Sequence, residues 1–495
     1  MAWPTIIQGG MGVAISDWRL ARTVAMSGQL GVVSGTGIAP VMIRRLMDGD
    51  PDGDTRRALA HFPDAPLVEQ ILAKYYLPEG RPEGMSYKTI VPYSLKPSPW
   101  LDGVTAAAAF VEVWLAKEGH DGLVGVNLLE KIQLPHCATL YGAMLAGVDY
   151  VLMGAGLPGQ IPGILDRLAT HSSVRYRVDV QGALPGEDYG ITFDPAAVFP
   201  GLAERLGGLK RPHFLAIIST EVVAQALLKR AEGVIDGWVV EFPIAGGHNA
   251  PPRGQLKVDE TGEPIYGERD EPDLEKLASF GKPFWLAGGF GSREGLVSAR
   301  ERGAVGVQVG TAFALCDESG MRPDLKQKLR EMALAGEAPV RTSAFGSPTG
   351  FPFKVATVEG TVAEPEVYAA RPRLCDMGFL RRIYRRDDGQ VGYRCSAEPV
   401  ADYVRKGGDE AQTEGRLCLC NHLMATVGGG QTRKDGYHEL PIVTLGNDIA
   451  CVLNYMSDSD TGYSARAVVA GILGETTSMA PSMPRVAAVA ETAGS

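Results

Sequence analysis

Eight short apolar runs, most of them separated by stretches of helical spacing, lie near residues 6, 32, 125, 151, 216, 240, 285 and 307. Strands that alternate with helices build parallel sheets, because a helix-long crossover returns the chain to begin a parallel neighbour. Eight such units predict an α/β fold, a (β/α)8 TIM barrel, in which every loop at a strand's carboxyl end opens onto one mouth. Six of the eight runs end in Gly-rich turns: Gly9-Gly10-Met11-Gly12, Gly35-Thr36-Gly37, Gly154-Ala155-Gly156, Ala245-Gly246-Gly247-His248, Gly288-Gly289 and Gly310-Thr311. A doubly wound open sheet competes with the barrel. No Gly-x-Gly-x-x-Gly with a ribose-binding acid supports a dinucleotide fold.

The alternation is interrupted once and then stops. Residues 38–120 carry helix-like stretches at 40–48, 65–75 and 104–118, with a Pro- and Tyr-containing piece at 75–100. They read as a large insertion after strand 2 that covers one end of the core. Helical spacing returns at 17–28, 135–146, 159–170, 220–232, 272–280 and 292–302. Residues 174–193 alternate weakly, as an outer hairpin would, and 249–270 form a polar, Pro- and Gly-rich loop suited to function. The barrel is expected to occupy 1–335. Residues 336–475 are expected to form a C-terminal Cys-bearing extension packed on it, with helices near 398–406, 420–426 and 446–456. The aperiodic Ala-, Ser-, Thr-, Pro- and Met-rich stretch 476–495 is expected to be a disordered tail.

The net charge of −10 over 495 residues argues against nucleic acid or an anionic membrane as a main partner. No run of 18 apolar residues predicts a membrane span, and Met1-Ala2-Trp3-Pro4 lacks the features of a signal peptide. The odd count of 7 Cys fits a reducing, cytoplasmic location.

Two turns invite phosphate. Gly288-Gly289 and Gly310-Thr311 follow strands seven and eight, where barrels commonly place it; glycine lets backbone N–H groups come close and the Thr hydroxyl adds a donor. Tight βα turns alone would also use these glycines. His248 follows three small residues at a strand's carboxyl end, and an imidazole there can take or give a proton at neutral pH. A solvated loop histidine is the plain alternative. Gly9-Gly10-Met11-Gly12 offers bare backbone to a flat ligand, with Met11 free to lie on an aromatic ring. Cys375, Cys395, Cys418 and Cys420 form a Cys-x19-Cys-x22-Cys-x-Cys pattern. Four thiolates can hold zinc or an iron–sulfur cluster, but the usual Cys-x2-Cys pair is missing, and scattered buried cysteines are the bland reading. Arg371, Arg373, Arg381, Arg382, Arg385 and Arg386 are a candidate docking face, or else a solvated one.

At these residues the chain resembles a known family. Gln8-Gly9-Gly10-Met11-Gly12-Val13-Ala14-Ile15-Ser16, Ala245-Gly246-Gly247-His248, Leu286-Ala287-Gly288-Gly289 and Val307-Gln308-Val309-Gly310-Thr311-Ala312-Phe313 are similar, in order, to motifs of the nitronate monooxygenases (2-nitropropane dioxygenases). The resemblance implies an FMN-binding barrel that oxidises alkyl nitronates with O2 to carbonyl compounds and nitrite, with His248 catalytic. It implies cofactor contacts from Gly9, Gly10, Met11, Asn127, Gly246, Gly247, Gly288, Gly289, Gln308, Gly310 and Thr311. Glu241 stands where many members place a flavin-contacting Gln, and a carboxylate there would oppose an anionic reduced flavin. The wider family includes FMN- and NAD(P)H-dependent enoyl reductases, among them the trans-acting enzyme of polyunsaturated fatty acid synthases, whose Gly-Gly-His segment is shared. That implies an alternative reaction on acyl thioesters, and a homo-oligomer or a synthase as partner.

Overall fold

The structure, a computed structural model, describes residues 3–456 and 462–475. The expected tail at 476–495 lies outside the described residues. The eight apolar runs are strands: β1 (Ile6–Gln8), β2 (Gly31–Ser34), β3 (Val124–Leu129), β4 (Tyr150–Gly154), β5 (His213–Ile218), β6 (Gly237–Glu241), β7 (Phe284–Ala287) and β8 (Gly306–Val309). They form one eight-stranded parallel sheet in which each strand lies beside the next and β8 returns beside β1. A parallel bridge between Ile7 and Leu30 joins β1 to the start of β2. Gln8 N donates to Leu30 O at 2.9 Å and Leu30 N to Ile6 O at 3.1 Å, which closes the ring. A closed barrel leaves no edge strand to pair with another chain.

Side chains alternate across the barrel wall. Ile7, Leu30, Val32, Leu152, Leu215, Val239 and Trp285 form an inner cluster. Their neighbours Ile6, Val33, Val151, Met153, Phe214, Trp238, Val240 and Leu286 belong to the outer core beneath the helices. Both faces are buried, so each strand reads in the sequence as an unbroken apolar run rather than an alternating one.

The stretch 38–120 does not all stand apart from the barrel. Helices α1 (Trp18–Met26), α2 (Ile38–Met47), α3 (Asp54–Ala60), α4 (Ala65–Tyr75), α5 (Pro99–Lys117) and α6 (His136–Leu145) follow in order, and α5 packs against both α1 and α6. It therefore takes the place of the second barrel helix, and the inserted part is α2 to α4 with the irregular segment up to Ser98. The close fit has a steric cause. A Cβ on Gly142 of α6 would meet the Ala106 carbonyl oxygen at 2.0 Å, so small residues let the two backbones touch. Buried Glu112 on α5 accepts from Trp18 N at 3.1 Å and pairs with Arg45 of α2, tying three helices together.

The extension is less separate than its position in the chain suggests. Strands β9 (Val340–Ser343) and β10 (Phe353–Ala356) form one antiparallel pair; β11 (Arg382–Arg385) and β12 (Val391–Arg394) form another, which adds to the short strand Val180–Gln181. The weakly alternating 174–193 is indeed a hairpin of Val174–Arg177 with Gly190–Phe193. Helices Val400–Arg405 and Leu419–Thr426 lie where expected. The helix expected at 446–456 is instead a 3-10 segment at Ile449–Asn454, with Ile449, Cys451 and Val452 all turned inward. Helix Ala465–Leu473, which the sequence reading missed, contacts both α1 and helix Arg293–Glu301. Those are the neighbours an eighth barrel helix would have. The chain thus leaves the barrel after β8, builds the extension, and comes back to complete the ring of helices.

Candidate active site

A cavity of about 230 Å³ opens at the carboxyl ends of the strands. Gly9, Gly10 and Met11 after β1 line it, as does Asn127 on β3. So do Glu241, Gly246, Gly247 and His248 at and after β6, Gly288 and Gly289 after β7, and Gln308, Gly310 and Thr311 at and after β8. The structure thus brings every flavin-site residue implied by the motifs to one hollow.

The first turn is built to expose backbone. Gln8 is fully buried; its amide donates to Gly9 O at 2.5 Å and to Ser16 Oγ at 2.8 Å, and its Oε1 accepts from Val32 N at 2.9 Å. Ser16 Oγ donates to Gly9 O at 2.9 Å and accepts from Met11 N at 2.9 Å. The ends of the opening motif therefore brace the loop, and its glycines face the cavity. A Cβ on Gly10 would come within 2.1 Å of Asn127 Cβ, so that contact admits only glycine. Gly288 and Gly289 both have positive φ, 93° and 81°, the left-handed region that glycine occupies without penalty. Gln308 Oε1 is buried and has no hydrogen-bond partner, an acceptor left open in the cavity wall.

His248 and Glu241 sit in the wall between this cavity and a second one of about 300 Å³; both hollows are lined by these two residues together with Ala155 and Ile217. Burial lowers the His248 pKa to about 4, which keeps the ring neutral at physiological pH. Its Nε2 lies 2.7 Å from Ser347 Oγ, which in turn lies 2.8 Å from Thr349 Oγ1. The ring meets Phe353 edge-on at 4.9 Å between centroids. Burial raises the Glu241 carboxyl to about 8, opposed in part by Lys354, and the side chain makes no hydrogen bond or ion pair within the described residues. Lys354 is itself lowered by burial to about 8. At neutral pH, Glu241 is a neutral acid and His248 a neutral base in the same wall.

The second cavity has apolar walls from Leu157, Ile218, Val222, Val223, Phe242 and Phe351. The 249–270 loop supplies Asn249, Arg253, Tyr266 and Asp270 to it.

Sequence reasoning missed the extension's share of the site. Phe353, Leu423, Thr444, Leu445, Gly446, Asp448 and Cys451 line the first cavity. Thr444 Oγ1 accepts from Gly247 N at 3.0 Å, and Thr311 Oγ1 accepts from Gly446 N at 2.9 Å. Strand β10 runs along the histidine segment: Lys354 N donates to Gly247 O at 2.9 Å and Asn249 N to Pro352 O at 2.9 Å. Nothing local tied Gly446 to a site 135 residues earlier.

Two other candidates lie elsewhere. The six arginines do not make one open face: Arg371 is buried over the Tyr368 ring, Arg381 lies on Tyr393, and Arg385 pairs with Glu187 at 2.9 Å. The four cysteines surround a separate small hollow, with no disulfide between them.

Residues 200–347 match the family model described as nitronate monooxygenase. The match carries β5 to β8, His248 and both glycine turns, and it makes the chain a flavin-dependent oxidoreductase. No curated protein matches the chain. Among solved structures, FabK from Thermotoga maritima is similar at 14% identity and a TM-score of 0.45, over 96% of this chain and 92% of that one. A nitroalkane oxidase from Streptomyces ansochromogenes matches at 16% identity and 0.45, over 95% of each chain. The enoyl reductase domain of MlnA from Bacillus amyloliquefaciens matches at 12% and 0.48, over 96% of this chain and 94% of that one. No helix among the described residues is long and apolar enough to cross a membrane.

Proposed function

We propose that this chain binds FMN in the barrel mouth and oxidises alkyl nitronates with O2 to carbonyl compounds and nitrite. The observation that carries the reading is the joining of both glycine turns and a neutral His248 in one cavity. The residues fit the cofactor. Gly288-Gly289 and Gly310-Thr311 would hold the phosphate, while Gly9, Gly10, Met11 and Asn127 leave a wall of backbone and small groups for a flat ring. The open Gln308 Oε1 suits a ring N–H donor. When bound, FMN supplies the electron acceptor and the site of O2 chemistry.

His248 takes the proton. A neutral imidazole beside the second cavity can remove the α-proton of a neutral nitroalkane or hold the charge of a nitronate, with Ser347 fixing the ring through Nε2. Protonated Glu241 can donate a hydrogen bond where a carboxylate would repel an anion. Purified protein should be yellow, and anaerobic addition of a nitronate should bleach it. A colourless protein that does not take up FMN would sink the reading.

A second reading has its own support. The apolar walls of the second cavity, at about 300 Å³, offer more room than a small nitronate needs and suit an acyl chain. This is the FMN- and NAD(P)H-dependent enoyl reductase, which would act on thioesters delivered by a synthase partner. Mixing the enzyme with NADPH under argon separates the two. Rapid bleaching by NADPH favours the reductase; bleaching by nitronate alone favours the oxygenase.

A further inference from the structure

Outside the barrel, Cys375, Cys395, Cys418 and Cys420 all line one small hollow of the extension. They come from three segments that little regular structure connects: the loop before β11, the turn after β12, and the start of helix Leu419–Thr426. None is in a disulfide. Main-chain N–H groups stand at each sulfur: Gly378 and Met377 at Cys375, Ala397 at Cys395, Asn421 at Cys418 and Leu380 at Cys420. Three of these sulfurs accept from residues two or three further along their own loops. N–H groups aimed at sulfur stabilise a thiolate and are what a thiolate-bound metal centre uses in its outer shell.

Cations stand close by. Arg381 lines the hollow, and Arg371, 5% exposed, acts on Cys418. The Nε atoms of Arg371 and Arg373 are buried without a partner. Glu398 also reaches the hollow, but Lys406 holds its Oε2 at 2.6 Å. Four neutral thiols gain nothing from such cations; a dianionic centre does.

Among the described residues, no three His, Cys, Asp or Glu side chains meet closely enough to hold a single metal ion. The thiols ring a space instead of meeting at a point. We propose that Cys375, Cys395, Cys418 and Cys420 ligate a four-iron iron–sulfur cluster. Its place is structural: it pins the three loop segments together, and helix Leu419–Thr426 passes from Cys420 directly to Leu423 in the wall of the cavity at the barrel mouth. The cluster reading does not depend on which reaction the barrel runs.

The test uses the full chain, purified without oxygen and reconstituted with ferric iron, sulfide and a thiol reductant. Iron and acid-labile sulfide should each reach about four per chain, with a paramagnetic signal after dithionite reduction. FMN content, measured separately, keeps this outcome distinct from the fate of the flavin reading. Cys395→Ala should lower iron and sulfide to under about a tenth of wild type. Cys137→Ala on α6 should leave both unchanged. About one zinc per chain with no sulfide would overturn the cluster in favour of a single ion. Neither iron nor zinc in folded wild-type protein would overturn the site altogether. If Cys395→Ala fails to fold, the wild-type iron and sulfide contents decide alone.

Discussion

Glu241 and His248 answer the same environment in opposite directions. Removing water disfavours the charged form of each, so the carboxyl rises to about 8 and the imidazole falls to about 4. Both are neutral at pH 7. His248→Ala should cost roughly 10²- to 10⁴-fold in turnover of a neutral nitroalkane while FMN content stays at wild type. Because His248 stays deprotonated down to about 4, kcat/KM should hold from neutral pH down to that value and fall on the alkaline side near 8, where Glu241 ionises.

The stability consequence of Glu241 follows from the same numbers. Above its usual 4.5 the unfolded chain sheds the proton, while the folded chain keeps it to about 8. Folding therefore loses stability as pH rises through that window. Glu241→Gln removes the loss, and at pH 8 should stabilise the protein by on the order of 1 kcal/mol, read as a higher Tm. It should also flatten the alkaline limb of the rate profile. A variant with unchanged Tm and an unchanged limb would mean that Glu241 is not the group that titrates. The sequence marked Glu241 as out of place for a flavin site. It could not show the cause of its tolerance, because the burial that raises the carboxyl, and Lys354 that opposes it from more than 100 residues further along, appear only in the fold.

At the scale of elements, the turns carry the most exact prediction. Gly10→Ala drives a methyl group into Asn127 Cβ, with 2.1 Å between the two carbons, and neither strand end can retreat from a closed barrel. About 1–3 kcal/mol of stability should be lost, together with FMN affinity; equilibrium denaturation and flavin fluorescence read the two. All eight strands were legible, because a strand buried on both faces needs a short apolar run. Helix α5 was legible as a helix but not as part of the barrel. Its buried face runs nearly all round, from Leu101 to Ala116, so no stripe announced which neighbours it would meet. The 3-10 segment at Ile449–Asn454 and the four-residue strands β9 and β10, which pair with each other, are too short to show a clear period.

Over the whole molecule, the site is shared between parts of the chain that the sequence separates. A chain ending at Leu334 keeps every glycine turn and His248, yet loses Ser347, Phe353, Thr444, Gly446 and the helix Ala465–Leu473. Such a truncation should not retain FMN through gel filtration, and it should melt without a cooperative transition or aggregate. A soluble, yellow, cooperatively melting fragment would show that the extension is dispensable. The expected boundary at 335 follows the last β-run. The helix that completes the ring stands far beyond it, with the whole extension between, and no local pattern links it to α1.

That last helix also gives the molecule an order of events during synthesis. A ribosome delivers β1 long before Ala465–Leu473, so the nascent barrel waits with α1 bare on one flank while β2 to β12 are made. The wall of the flavin cavity at Thr444–Asp448 emerges only shortly before it. A flavin site that uses this wall is complete only once residue 448 has emerged, so a chain stalled or cut before residue 444 should fail to hold flavin.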